Sequence, residues 1–177
     1  MMEPSFELIP FPDTDIPEIK ITGKIVREQA ILTVHYSIQG RTDLILVPAI
    51  SPQPGRKHEL WKTTCFEFFL AVPNQSPYWE FNLSPSGDWN VFRMDAYRQI
   101  ELREEELVQP HHLEFKKDCF YLEAAFDLSS ILDSSMKVEA GIATVIQSRD
   151  GHLTYWSLTH PSHLADFHLR ESFILQV

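Results

Sequence analysis

The chain has 177 residues, 44% hydrophobic and 12% aromatic, which suits one domain burying roughly 70% of its unfolded surface and excludes a disordered chain. A formal charge of −10, with no basic cluster to release counterions, excludes a nucleic-acid backbone as partner. The start, MMEPSFELIPFPD, has neither the basic nor the apolar region of a secretory signal, and no apolar run approaches the ~20 residues that span a bilayer. A cytoplasmic protein without a membrane partner is therefore expected.

Residues 1–15 read as a Pro-rich lead-in to a single domain over 16–177. Ile19, Ile21 and Ile25 alternate with Lys20, Thr22 and Lys24. After a turn near Glu28 and Gln29 the alternation resumes at Leu32, Val34, Tyr36 and Ile38, which predicts a hairpin. DLILV (43–47) reads as a short third strand, and PAISPQPGRKHE (48–59) as a loop. The next strand is CFEFFLAV (65–72). Cys65 and Cys119 both sit in apolar runs, so two buried free thiols are expected. After the hairpin EFNLSPSGDWNVFRMD comes the acidic stretch IELREEELVQP, whose Glu104 to Glu106 read as a solvated turn or short helix.

The strands HHLEF and CFYLEAAFDL follow, then a helical turn at LSSILD. KVEAGIATVIQ and HLTYWSL are joined through Arg149, Asp150 and Gly151. With Gly151 left-handed, that loop pairs Ser148 with His152 and places Thr144 and Ile146 on one face with Trp156 and Thr154. About ten short strands with almost no helical period predict an all-β antiparallel sandwich, of jelly-roll or immunoglobulin-like type, with a closed barrel as the alternative.

One hairpin carries an unusual row of side chains. A turn centred on Ser86 and Gly87 pairs Ser84 with Trp89, Asn82 with Val91 and Glu80 with Arg93. Trp79, Phe81, Phe92 and Met94 then face the core, and Glu80, Asn82, Trp89 and Arg93 face outward. Opposite charges at Glu80 and Arg93 would contribute roughly 0.2–1 kcal/mol. A loop over 74–77 adds Glu67 and Phe69 to the polar face, with Glu67 opposite Ser84, and Phe66, Phe68 and Leu70 to the core. Two readings stand. Cross-strand ion pairs on an exposed sheet face are common structural features. The same row also suits a sugar, whose hydroxyls need fixed donors and acceptors and whose C–H faces pack on aromatic rings.

The segments LWKTTCFEFFL, YWEFNLSPSGDWNVFRMDAYR and YWSLTHPSHLADFHLRESF together resemble the DOMON-like domains related to family 9 carbohydrate-binding modules. The resemblance spans Leu60 to Arg98 and Tyr155 to Phe173. It implies a β-sandwich that binds sugar or haem without catalysis. Sugar-binding relatives clasp their ligand between tryptophans beside Glu, Asn and Arg, which by position and type implies Trp61, Glu67, Glu80, Asn82, Trp89 and Arg98. Arg93, from the polar row, completes the candidate set.

Other chemistries are weaker. Met94 with a histidine could hold haem b, but its parity places it in the core, and the chain has no Cys-x-x-Cys-His. His160, His163, Asp166 and His168 fall close together without the spacing of a metal motif. Glu67 and Glu80 could be a glycosidase pair, yet an Arg93 partner would hold Glu80 ionised and unsuited to a general acid. No nucleophile elbow, phosphate loop or zinc-protease motif is present. The expectation is a non-catalytic carbohydrate-binding domain without cofactor or metal. A haem-binding module and a structural or partner-binding sandwich are the alternatives.

Overall fold

The computed structural model describes residues 5–13, 15–98 and 103–177. Its regular structure is extended apart from three short 3-10 turns. The strands are β1 (Ser5–Pro10), β2 (Ile19–Glu28), β3 (Ile31–Gly40), β4 (Cys65–Ala71), β5 (Tyr78–Leu83) and β6 (Trp89–Met94). They continue as β7 (Arg103–Glu104), β8 (Pro110–Lys116), β9 (Tyr121–Asp127), β10 (Glu139–Gln147), β11 (Leu153–Ser157) and β12 (Leu175–Gln176). All named strands pair antiparallel, in the order β7-β6-β5-β4-β10-β11-β1-β2-β3-β9-β8, with β12 also on β10.

The expected all-β antiparallel class is found, but the two separate sheets of a sandwich are not. One sheet curls until its halves face each other. β1 makes the continuity: Ser5 to Leu8 pair with β2, and Ile9 and Pro10 pair with β11. The apolar faces of the halves meet in one core. Phe68 stacks on Phe81 with centroids 4.2 Å apart, and Phe126 of the opposite half meets Phe81 edge-on at 5.0 Å. Tyr36 packs 5.0 Å from Phe66 and its hydroxyl donates to the Glu67 carbonyl, tying β3 to β4.

Several local expectations are corrected. Part of the supposed lead-in is β1, while residues 1–4 and 14 lie outside the described residues. DLILV is not a strand: Thr42–Leu44 form a 3-10 turn and only Ile45 bridges to Ser148. Cys65 is buried, but Cys119 is exposed in the turn before β9; both thiols are free. Of the acidic stretch, 100–102 lie outside the described residues. Glu104 is no solvated turn residue, since it pairs with Phe92 in β7 and accepts from Asn90. LSSILD makes one turn, closed by Leu132 N–H to Leu128 O at 2.8 Å.

The β5–β6 register differs from expectation by one residue. Its loop has three residues, Pro85 to Gly87, closed by Ser84 N–H to Asp88 O at 2.9 Å, with Gly87 left-handed at φ 90°. Leu83 therefore opposes Trp89, Asn82 opposes Asn90, and Glu80 opposes Phe92. A slip of one reverses every side chain of β6. Phe92 and Met94 share the Glu80 face, and Arg93 lies opposite Trp79 on the other. The β4–β5 register is also displaced, Glu67 facing Asn82 rather than Ser84, but by two residues, so Glu67 and Phe69 keep the predicted face.

Candidate functional site

β4 and β5 are buried along their whole lengths, because they are covered on both faces. One face meets the main core. The other carries Phe69, Ala71 and Tyr78 of β4 and β5, Phe92 and Met94 of β6, and Ala143 of β10. The C-terminal segment folds over this second face. Phe173 stacks on Phe69 at 5.5 Å, and Arg170 donates to Gln75 O at 2.7 Å and Glu139 Oε2 at 3.1 Å. The predicted solvated row is thus roofed over.

Between sheet and roof lies a cavity of about 660 Å³. Glu67 and Glu80 form its polar floor, at 3% and 5% exposure. Val145, Leu153 and Tyr155 line the side formed by β10 and β11, Met94 belongs to β6, and Ala165, Phe167 and His168 come from the roof. Trp61 and Lys62 enter from the 3-10 turn Leu60–Lys62, which starts at a left-handed Glu59. Trp61 is held edge-on to Phe92, with centroids 6.2 Å apart. Arg98 closes the rim.

The floor is electrostatically unusual. Glu67 and Glu80 are diagonal neighbours on adjacent strands, since Glu67 faces Asn82 two positions from Glu80. Asn82, fully buried, donates to Glu80 Oε1 at 3.0 Å. Glu67 Oε1 and Asn82 Oδ1 are buried without a hydrogen-bond partner. Burial, and then the charge of Glu80, drive the Glu67 carboxyl well above the usual carboxylate range. Burial likewise raises Glu80 to about 7, against the opposing pull of Asn82 and Arg98.

His168 is pushed down to about 4, first by burial and then by Arg98, so it is neutral at pH 7. Its Nε2 stands 3.8 Å from Glu80 Oε2, and with a neutral ring this is no ion pair. Its Nδ1 is 2.9 Å from the Tyr78 hydroxyl. At the rim, Asp166 ties the roof to the residues after β6: it pairs with Arg98 at 3.0 Å, accepts from Tyr97 and accepts the His168 N–H at 3.0 Å.

Of the seven candidates, the fold brings Trp61, Glu67, Glu80 and Arg98 to this cavity, with Asn82 behind Glu80. Trp89 and Arg93 are elsewhere. Trp89 packs against the main core with the Arg56 guanidinium 4.5 Å above its ring. Arg93 pairs with Asp95 at 3.0 Å, so it neither faces Glu80 nor keeps it ionised. Sequence reasoning missed Tyr78, Tyr155 and Phe167. Tyr78 was readable as the next residue of Glu80's parity; the others depend on how the roof folds.

The haem alternative depends on Met94 and a histidine. Met94 and His168 do line the same cavity, so the core parity assigned to Met94 is corrected. The donor set nevertheless fits an iron poorly. One ring nitrogen of His168 is taken by Tyr78 and the other faces Glu80. His160 points away, to the Ile9 carbonyl at 2.9 Å. Among the described residues no group of three His, Cys, Asp or Glu is arranged to hold a metal ion.

No family model matches the chain, and no curated protein matches it. Solved structures do. A candidate carbohydrate-binding protein of Bacteroides uniformis superposes with a TM-score of 0.63 at 13% identity, over 97% of this chain and 84% of that one. A family 9 carbohydrate-binding module of Caldicellulosiruptor kristjanssonii, solved with cellotriose, gives a TM-score of 0.54 at 11% identity, over 91% and 75%. At these identities the likeness is one of fold.

Proposed function

We propose that the chain is a non-catalytic carbohydrate-binding domain of DOMON-like type, taking a sugar ring into the cavity over Glu67 and Glu80. The observation that carries this reading is a floor of buried acceptors, two of them unpartnered, beneath walls that include Trp61, Tyr155 and Phe167. Sugar hydroxyls supply the donors such a floor lacks, and the ring's C–H faces pack on aromatic walls. Structural neighbours described as carbohydrate-binding support the same class.

The test is a panel of mono- and oligosaccharides read by melting temperature. Ligand at 100 times its Kd stabilises by about 2.7 kcal/mol, enough for a clear shift. Trp61→Ala is expected to weaken binding at least about tenfold, while Trp89→Ala, on the other face, leaves it unchanged. No turnover of nitrophenyl glycosides is expected. A panel in which no sugar moves the melting point ends the carbohydrate reading.

A further inference from the structure

The charge inside the cavity does not balance. Two carboxyls lie side by side on its floor, and the cations near them are engaged elsewhere. Arg98 is held by Asp166 at 3.0 Å, and Lys62 by Glu59 at 2.7 Å. His168 is neutral, so it offers Glu80 no compensating charge. Asn82 gives Glu80 one hydrogen bond, while Glu67 Oε1 has none. The unpartnered buried atoms of the floor, Glu67 Oε1 and Asn82 Oδ1, are both acceptors.

Two adjacent buried carboxyls can both ionise only if they gain donors and positive charge. A neutral hydroxyl supplies one donor and no charge. A protonated primary amine supplies three donors and the missing charge, and aromatic walls tolerate a cation better than aliphatic ones do.

Building on the carbohydrate reading of this cavity, we infer that its preferred ligand is an amino sugar, a ring bearing a free ammonium group that docks between Glu67 and Glu80. The ammonium completes Glu67 Oε1 and allows both carboxyls to be ionised at once, which their mutual repulsion otherwise opposes. The C–H face of the ring rests against the aromatic wall. Because burial and then mutual repulsion leave the two carboxyls holding a proton near neutral pH, docking of the cation displaces that proton to solvent. The charged and titratable groups around the floor are Cys65 of β4, Tyr78 of β5, Tyr155 of β11, Lys62, Arg98, Asp166 and His168. Of these, His168 titrates far below neutrality and Cys65 and Tyr78 well above it, so the released proton belongs to the glutamate pair.

The experiment compares glucosamine and galactosamine with glucose, galactose and N-acetylglucosamine, by calorimetry on the whole chain at pH 6.5, well below the ~8 of such an amine, so that the ligand already carries its proton before it binds. Free-amine sugars are expected to bind about tenfold more tightly than the neutral ones, the difference between a charge-assisted and a neutral hydrogen bond. N-acetylation should remove the preference. Glu67→Gln should equalise amine and neutral sugars. Should that variant not fold, the wild type still decides the matter. Calorimetry in two buffers of different ionisation heat is expected to show proton release with glucosamine and none with glucose. Equal or weaker binding of the amines, or no proton release, overturns the amino-sugar inference and leaves carbohydrate binding standing. Binding of no sugar in either group overturns the carbohydrate reading itself.

Discussion

At the scale of single residues, Glu80 is held where a charge is costly, and that has a measurable sign. Its carboxyl is about 7 in the fold against 4.5 for the free group, with burial as the chief cause. Between these values the folded chain binds more protons than the unfolded one, so stability falls as pH rises. The contribution is fully present below pH 4.5 and is gone above 7, a loss on the order of 3 kcal/mol. Glu80→Gln keeps an acceptor for Asn82 but has nothing to ionise. Its stability relative to wild type should therefore grow by that order between pH 5 and 8 in urea titrations; parallel curves would refute the burial argument. A group held at such a cost is in keeping with the proposed ligand site, because stability and function compete where a ligand must be met. The two cysteines give a second residue-scale test. Cys119, exposed, should react rapidly with a thiol reagent in the native state, and Cys65, buried with its thiol pushed well above the usual range, should react only on unfolding. Labelling of both at one rate would contradict the packing around β4.

At the scale of elements, two three-residue loops show what was legible. Arg149 to Gly151 and Pro85 to Gly87 share one form, with the glycine third and left-handed, at φ 94° and 90°. The first is readable as such, and its register follows. In the second, Pro-Ser-Gly-Asp offers a two-residue turn on Ser86 and Gly87 equally well by composition, and only the hydrogen bond from Ser84 to Asp88 separates the choices. An odd slip reverses a strand, which is why Trp89 and Arg93 were misplaced; the even slip at β4–β5 left Glu67 and Phe69 correctly faced. Polar residues on one parity suggested solvent, yet the roof that buries them comes from residues 165–173, about 90 positions away, beyond any local pattern. That roof is fastened by Asp166, and the fastening is testable. Asp166→Ala removes the partner of Arg98, Tyr97 and the His168 N–H together. The Asp166 carboxylate is only 10% exposed although Arg98 and Tyr97 reach solvent, so the cost should exceed that of a surface pair, on the order of 1–2 kcal/mol, and the variant should still fold. Sugar dissociation should quicken, since Asp166 holds the roof over the cavity. An unchanged dissociation rate, measured by stopped flow with a sugar found by the panel, would show that the clasp does not gate the cavity.

At the scale of the whole molecule, β1 decides whether this is one cooperative unit or two halves. It is a short strand, but Ser5 to Leu8 hydrogen-bond to one half and Ile9 and Pro10 to the other, so the curl depends on it. Phe6 anchors it: the ring is 6% exposed and meets Tyr36 edge-on at 5.4 Å. Tyr36 in turn donates to the backbone carbonyl of Glu67, so the seam is mechanically continuous with the floor of the cavity. Phe6→Ala should destabilise by about 3–5 kcal/mol, the range for a deleted buried aromatic ring. Since the halves share one core through Phe68, Phe81 and Phe126, loss at the seam should lower a single transition rather than release one half first. Scanning calorimetry of the variant should thus show one peak, with calorimetric and van't Hoff enthalpies equal, and far-ultraviolet and aromatic circular dichroism melting together. Two resolved transitions would mean that the halves are separate folding units joined by a strand. The cavity, which is built from β4, β5, β6, β10, β11 and the roof, would then survive damage at the seam. With a single transition, binding of a sugar found by the panel should disappear only as the Phe6→Ala variant unfolds, and well below its melting point the affinity should be that of the wild type.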